Sequence, residues 1–164
     1  MGNRAVITTS NNSNEIGVYL HWNGGRDSVQ AFLKYCKLKG YRPPEYDDYG
    51  WARLCQVIGN FFGGSTSIGI NTCRYLDCNN GDNGVYIIKD WEIVGRKYFE
   101  GCEQNEYDLQ EMVIGIDEEQ PVKEQLGRDE IMRLLREERE NTTTKGKAKQ
   151  KPQSESKEKG NEKI

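Results

Sequence analysis

The densest concentration of side chains able to do chemistry is Tyr19-Leu20-His21-Trp22-Asn23-Gly24-Gly25-Arg26-Asp27-Ser28. It holds the only histidine and one of the three tryptophans of a 164-residue chain. Glycines between a strand and a helix let the backbone approach a ligand closely, and the amides and dipole of a helix N-terminus favour an anion. Arg26 can add a two-toothed contact to a phosphate, and Trp22 or Tyr19 can stack on a planar ring. The expected ligand-binding set is therefore Tyr19, His21, Trp22, Asn23, Gly24, Gly25, Arg26 and Ser28. The expected ligand is a nucleotide-like anion. The same residues also read as a simple tight turn beside a core tryptophan, since the spacing is neither a Walker A loop nor Gly-x-Gly-x-x-Gly.

His21 brings an imidazole, the side-chain type suited to moving protons near neutrality, so acid–base catalysis is open to it. If the chain is a hydrolase or transferase, His21 is the catalytic residue, helped by Asn23 or by a cysteine such as Cys55 or Cys73. A single histidine excludes a metal site built on several imidazoles. Cys73 and Cys78 with Asp77 lack the ligand spacing of a zinc site. Asp77, Asn79 and Asp82 fail as a calcium loop, with Asp82 where the glycine belongs and Ile88 where the final glutamate belongs. The sequence calls for no cofactor. Gly63-Gly64-Ser65-Thr66-Ser67 is a second flexible turn able to line the same pocket, or simply a helix end and a strand start.

A different binding mode rests on charge. Glu45-Tyr46-Asp47-Asp48-Tyr49 is acidic and tyrosine-rich, and with Trp51 or Trp91 it would suit an inhibitor that holds a host protein through an acidic surface. Of 23 basic and 26 acidic residues, seven Lys and three Glu fall in 141–164, leaving a net of −7 before them and +4 within them. The basic stretch Lys145–Lys151 offers weak, salt-dependent nucleic-acid contact at most, and the acidic part before it opposes that.

These residues need elements to hold them. Arg4–Thr9 and Ile16–Trp22, separated by Ser10-Asn11-Asn12-Ser13-Asn14, predict a hairpin with Ile16, Val18, Leu20 and Trp22 facing inward. Val29, Phe32, Leu33 and Cys36 fall at i, i+3, i+4 and i+7, one face of a helix with Asp27 or Ser28 as N-cap and Gly40 closing it. Trp51, Leu54, Cys55 and Ile58 repeat that spacing up to Gly63-Gly64. Ser65–Ile70 predicts a short strand, and 71–84 a loop. Val85–Ile88 and Glu92–Gly95 predict a hairpin turning at Lys89-Asp90-Trp91. Leu109, Met112, Val113 and Ile116 mark a third helix, for which Asn105 and Asp108 form a weak cap. Ile131, Leu134 and Leu135 mark a charged helix ending near Asn141.

The expected fold class is α+β, a small, mainly antiparallel sheet with two or three helices on one face, a charged C-terminal helix and a disordered tail. The expected divisions are 1–117 for the α+β domain, 118–140 for the charged helical extension and 141–164 for the disordered basic tail. No run of about 18 apolar residues exists, so no membrane partner is expected. Met1–Ile7 lacks a signal-peptide core, and Val6 stands where myristoylation wants Ser or Thr. An odd set of five cysteines without Cys-x-x-Cys then reads as reduced thiols, and the expected location is the cytosol of a host cell. Oligomerisation stays open.

Met1-Gly-Asn-Arg-Ala-Val-Ile, Gly17-Val-Tyr-Leu-His-Trp-Asn-Gly-Gly25, Trp51-Ala-Arg-Leu54, Gly59-Asn-Phe-Phe-Gly-Gly64 and Asp82-Asn-Gly-Val-Tyr86 carry a resemblance. Over about residues 1–115 the chain resembles a group of small uncharacterised proteins of phages and mobile elements in Firmicutes. That resemblance implies no activity and no site residue. It implies a setting, in which small accessory proteins counter host defence by sequestering a nucleotide signal or blocking a defence protein.

Overall fold

In the computed structural model, the backbone is described for residues 2–150 and the side chains for 2–143. The chain divides into two units, residues up to Arg128 and residues from Asp129 onward. In the first, β1 (Ala5–Thr8) and β2 (Ile16–Leu20) form the expected hairpin. Two helices follow, α1 (Arg26–Leu38) and α2 (Asp48–Phe61). Next come β3 (Ile68–Thr72), then β4 (Val85–Lys89) and β5 (Glu92–Lys97), and finally α3 (Leu109–Glu118). The sheet order is β3-β2-β1-β4-β5, antiparallel except for the central β1/β4 pair. The α+β class is the observed one.

Strand β1 is the reason the sheet has this centre. All four of its residues are buried, so it needs cover on both faces, a requirement met only away from an edge. The register Ala5↔Leu20, Ile7↔Val18 and Ile7↔Tyr86 puts these side chains on one face. That face packs on the helices through Val29, Phe32, Leu33 and Cys36 of α1, Leu54 and Ile58 of α2, and Val113 and Ile116 of α3, all buried. Val6, Thr8, Gly17, Tyr19, Val85 and Lys97 share the opposite face. There the crossover from β3 to β4 supplies the cover. A methyl on Gly17 would meet Cys73 Sγ at 2.9 Å and Leu76 Cδ1 at 3.1 Å.

Several boundaries differ from the periodicity, each for a local reason. Helix α1 starts at Arg26 with Gly25 as its N-cap, because the Asp27 carboxylate is spent on distant amides. Helix α2 starts three residues before Trp51, because the Asp47 side chain accepts from the Tyr49 and Gly50 amides. Strand β3 is displaced toward Thr72, paired residue by residue with β2. Asp108 alone caps α3, accepting from the Glu111 amide. Gly40 does close α1 in the left-handed region, at φ +76°.

One buried carboxylate ties the end of this unit down. Asp117 accepts from Tyr35 Oη at 2.6 Å and from the Leu126 and Gly127 amides at 2.8 and 2.9 Å. Burial, then the bond to Asp117, pushes the Tyr35 phenol well above the usual tyrosine range.

From its second residue, Asp129, helix α4 (Arg128–Gln150) makes up the described part of the second unit, and residues 151–164 of the expected tail lie outside the described residues. Along it Arg133 pairs with Glu130 and Glu137, the i,i+3 and i,i+4 supports of an exposed charged helix. Among the described residues no helix is long and apolar enough to cross a membrane.

Candidate functional site

The turn from β2 to α1 brings its candidate residues together, and the surrounding chain closes over several of them. Strand alternation sends Tyr19 and His21 to the face opposite the helices. There Tyr19 Oη lies 2.8 Å from His21 Nδ1, so the imidazole is bonded to a phenol and to no cysteine. Burial raises the Tyr19 phenol above its ordinary range. Trp22 is 47% exposed and meets the His21 ring edge-on, 4.9 Å between centroids. It is therefore a surface tryptophan, where the alternation of β2 predicts a core one. Asn23 turns the chain at φ +56°, and its amide reaches Ser28 Oγ at 3.3 Å. Ser28 itself is buried.

The two glycines are buried beneath other parts of the chain. The Gly24 amide donates to the Asn3 carbonyl at 2.8 Å, and its own carbonyl accepts from Tyr86 Oη at 2.7 Å. A methyl on Gly24 would fall on the Asn3 carbonyl oxygen and lie 2.8 Å from Ala5 Cβ. Gly25 lies under Gln104, whose side-chain amide also accepts from Asn3 Nδ2 at 2.8 Å.

Arg26 points at a carboxylate of this same chain. Glu103 accepts from Arg26 at 3.0 Å and from Arg96 at 2.5 Å, so one anion bridges two guanidinium groups. Arg96 is stacked between Tyr86 and Phe99, 4.0 and 3.9 Å from the ring centroids, and donates to the Asn83 carbonyl. Asp27 secures the covering segment, accepting from the Glu106 and Tyr107 amides at 2.7 and 3.0 Å. Sequence reasoning omitted Asn3, Asp27, Arg96, Glu103 and Gln104. Only Asp27 lies within the local motif; the others come from up to about 80 residues away, with nothing in the local pattern to mark them.

The acidic segment leading into α2, together with the first residues of that helix, is the second candidate, and it is built differently. Pro43 and Pro44 stiffen it, and Gly50 packs against their backbone, where a methyl would lie 2.5 Å from Pro44 N. Glu45 accepts from the Asp90 amide at 2.7 Å, and Asp47 pairs with Arg42 at 2.8 Å while capping α2. Tyr46 and Tyr49 remain 70% and 60% exposed, with Asp48 exposed between them. The guanidiniums of Arg42 and Arg53 each lie 5.5 Å from the Tyr49 ring.

Of the tryptophans proposed beside this segment, Trp91 is 3% exposed and donates to the Tyr41 carbonyl at 2.8 Å. It is a core residue, held by a tight turn in which Asp90 and Trp91 both have positive φ. Trp51 is half-buried. Among the described residues no three His, Cys, Asp or Glu side chains converge as a metal site. No family model, no curated protein and no solved structure matches this chain.

Proposed function

We propose that this protein works by stoichiometric binding, holding another protein through the acidic, tyrosine-bearing segment 45–49, the end of the loop before α2 and the first residues of that helix. The observation that carries the reading is that this segment is fixed from several sides and still presents Tyr46, Asp48 and Tyr49 to solvent. Tyrosines on a rigid segment supply large contact area at low entropic cost, since little is left to freeze on binding. The net acidity of residues 1–140 selects a partner with a basic face and steers its approach. In the phage and mobile-element setting that the resemblance implies, that partner is a host defence protein.

Nucleotide capture at residues 19–28 asks more of the molecule. Arg26 would have to leave Glu103, and Gln104 would have to leave Gly25. Binding through segment 45–49 requires no such rearrangement.

The test is a quantitative pull-down from host lysate with the native chain and with Tyr46→Ala/Asp48→Lys. These positions leave the Asp47 cap and the Glu45 contact in place. The reading expects a protein enriched by the native chain, lost with the variant and released as salt rises. Equal recovery by both baits would end it.

A further inference from the structure

The sheet face turned away from the helices carries a cavity of about 380 Å³, inside the range of about 300–1,000 Å³ typical of small-molecule sites. Thr8, Val85 and Lys97 line it from the strands, the turn after β1 walls one side, and the crossover after β3 walls the other. Two cations border it, Arg74 and Lys97, and neither has a carboxylate partner among the described residues. Lys97 Nζ instead stands 5.5 Å from the Tyr98 ring, which also lines the cavity and is half exposed. The lining carboxylate, Asp77, is turned to Arg4 at 3.3 Å.

Elsewhere in the unit many cations are held by carboxylates. Arg4, Arg26, Lys37, Lys39, Arg42 and Arg96 each have a carboxylate within salt-bridge distance. Among the described residues Arg53, Lys89 and Lys123 have none either, so it is the lining that marks this cavity: two cations without a carboxylate partner border a single hollow and leave room for an anion. Ser10 and Ser13 and the neighbouring asparagines add neutral donors to the wall. Tyr98 adds a flat face on which a ring can stack.

We propose that this cavity binds one nucleoside monophosphate, with its phosphate between Arg74 and Lys97 and its base against Tyr98. The site is separate from the β2–α1 turn and from segment 45–49, so it stands or falls without either. Charge-assisted bonds from two cations give the phosphate most of the affinity, and stacking gives preference for a nucleotide over a bare phosphate.

The cavity carries its own reporters, because Cys73 and Cys78 line it while Cys102 is exposed elsewhere. Calorimetric titration of the full chain should show adenosine monophosphate binding, with adenosine and inorganic phosphate each about tenfold weaker or worse. Arg74→Ala/Lys97→Ala should weaken the nucleotide about tenfold or more while leaving the circular dichroism spectrum unchanged. The nucleotide should slow maleimide labelling of Cys73 and Cys78 and leave Cys102 unaffected, read by mass spectrometry. No heat at millimolar nucleotide, equal affinity for inorganic phosphate, or full affinity in the double variant would each overturn the proposal.

Discussion

Adding one methyl at Gly24 and one at Gly25 tests the account of the β2–α1 turn, because the two glycines are crowded by different things. Gly24 faces backbone. Its methyl would press into the Asn3 carbonyl and onto Ala5 in the central strand, neither of which can rotate away. Overpacking of this kind costs about 1–3 kcal/mol, and loss of the Gly24–Asn3 bond adds about 1 kcal/mol, so Gly24→Ala should lose about 2–4 kcal/mol. Gly25 has φ −66°, open to any residue, and its obstacle is the end of the Gln104 side chain.

Gly25→Ala should therefore lose only the Asn3–Gln104 bond, about 1 kcal/mol, partly offset by a stiffer unfolded chain. Gln104→Ala forfeits the same bond. The double variant Gly25→Ala/Gln104→Ala should thus be no worse than either single change, a coupling of about 1 kcal/mol. Equilibrium urea unfolding followed by tryptophan fluorescence measures all four proteins. A Gly24→Ala protein within about 0.5 kcal/mol of the native chain would refute the packing account and return the glycines to an open pocket.

Two further outcomes concern buried polar groups. The raised Tyr35 phenol keeps its proton in the folded state after the unfolded chain has lost it. Stability is then intact below pH of about 10 and falls as pH rises past that value. Tyr35→Phe should flatten this alkaline slope and cost about 1–3 kcal/mol at neutral pH by taking a donor from Asp117, as urea titrations across pH will show. Asp47→Ala should cost about 0.5–2 kcal/mol through the lost α2 cap, whereas Asp48→Ala should stay within about 0.5 kcal/mol. Equal effects at Asp47 and Asp48 would contradict the division between a structural and a presenting acid in that segment.

Local pattern was enough for much of the architecture. Period-two alternation and the Ser10–Asn14 turn define the first hairpin, and the 3.6-residue spacing of Val29, Phe32, Leu33 and Cys36 defines α1. These signals are legible because each element buries one face and its neighbours in sequence record which one. Side-chain caps were harder to read, since Asp27, Asp47 and Asp108 look alike in sequence. Asp47 and Asp108 cap their helices, whereas Asp27 reaches amides about 80 residues away.

Residue identity alone placed an arginine, two glycines, a histidine and a tryptophan side by side, because they are contiguous in the chain. Only the tertiary structure decided what stands opposite them: Asn3 and Gln104 over the glycines, Glu103 against Arg26, Tyr19 on His21. It also decided that Trp91 goes to the core and Trp22 to the surface, and that Arg74 and Lys97 border one hollow. The physical reason is reach. Backbone periodicity propagates over a few residues, whereas charge pairing and steric cover depend on which distant segments the sheet order brings to the same face.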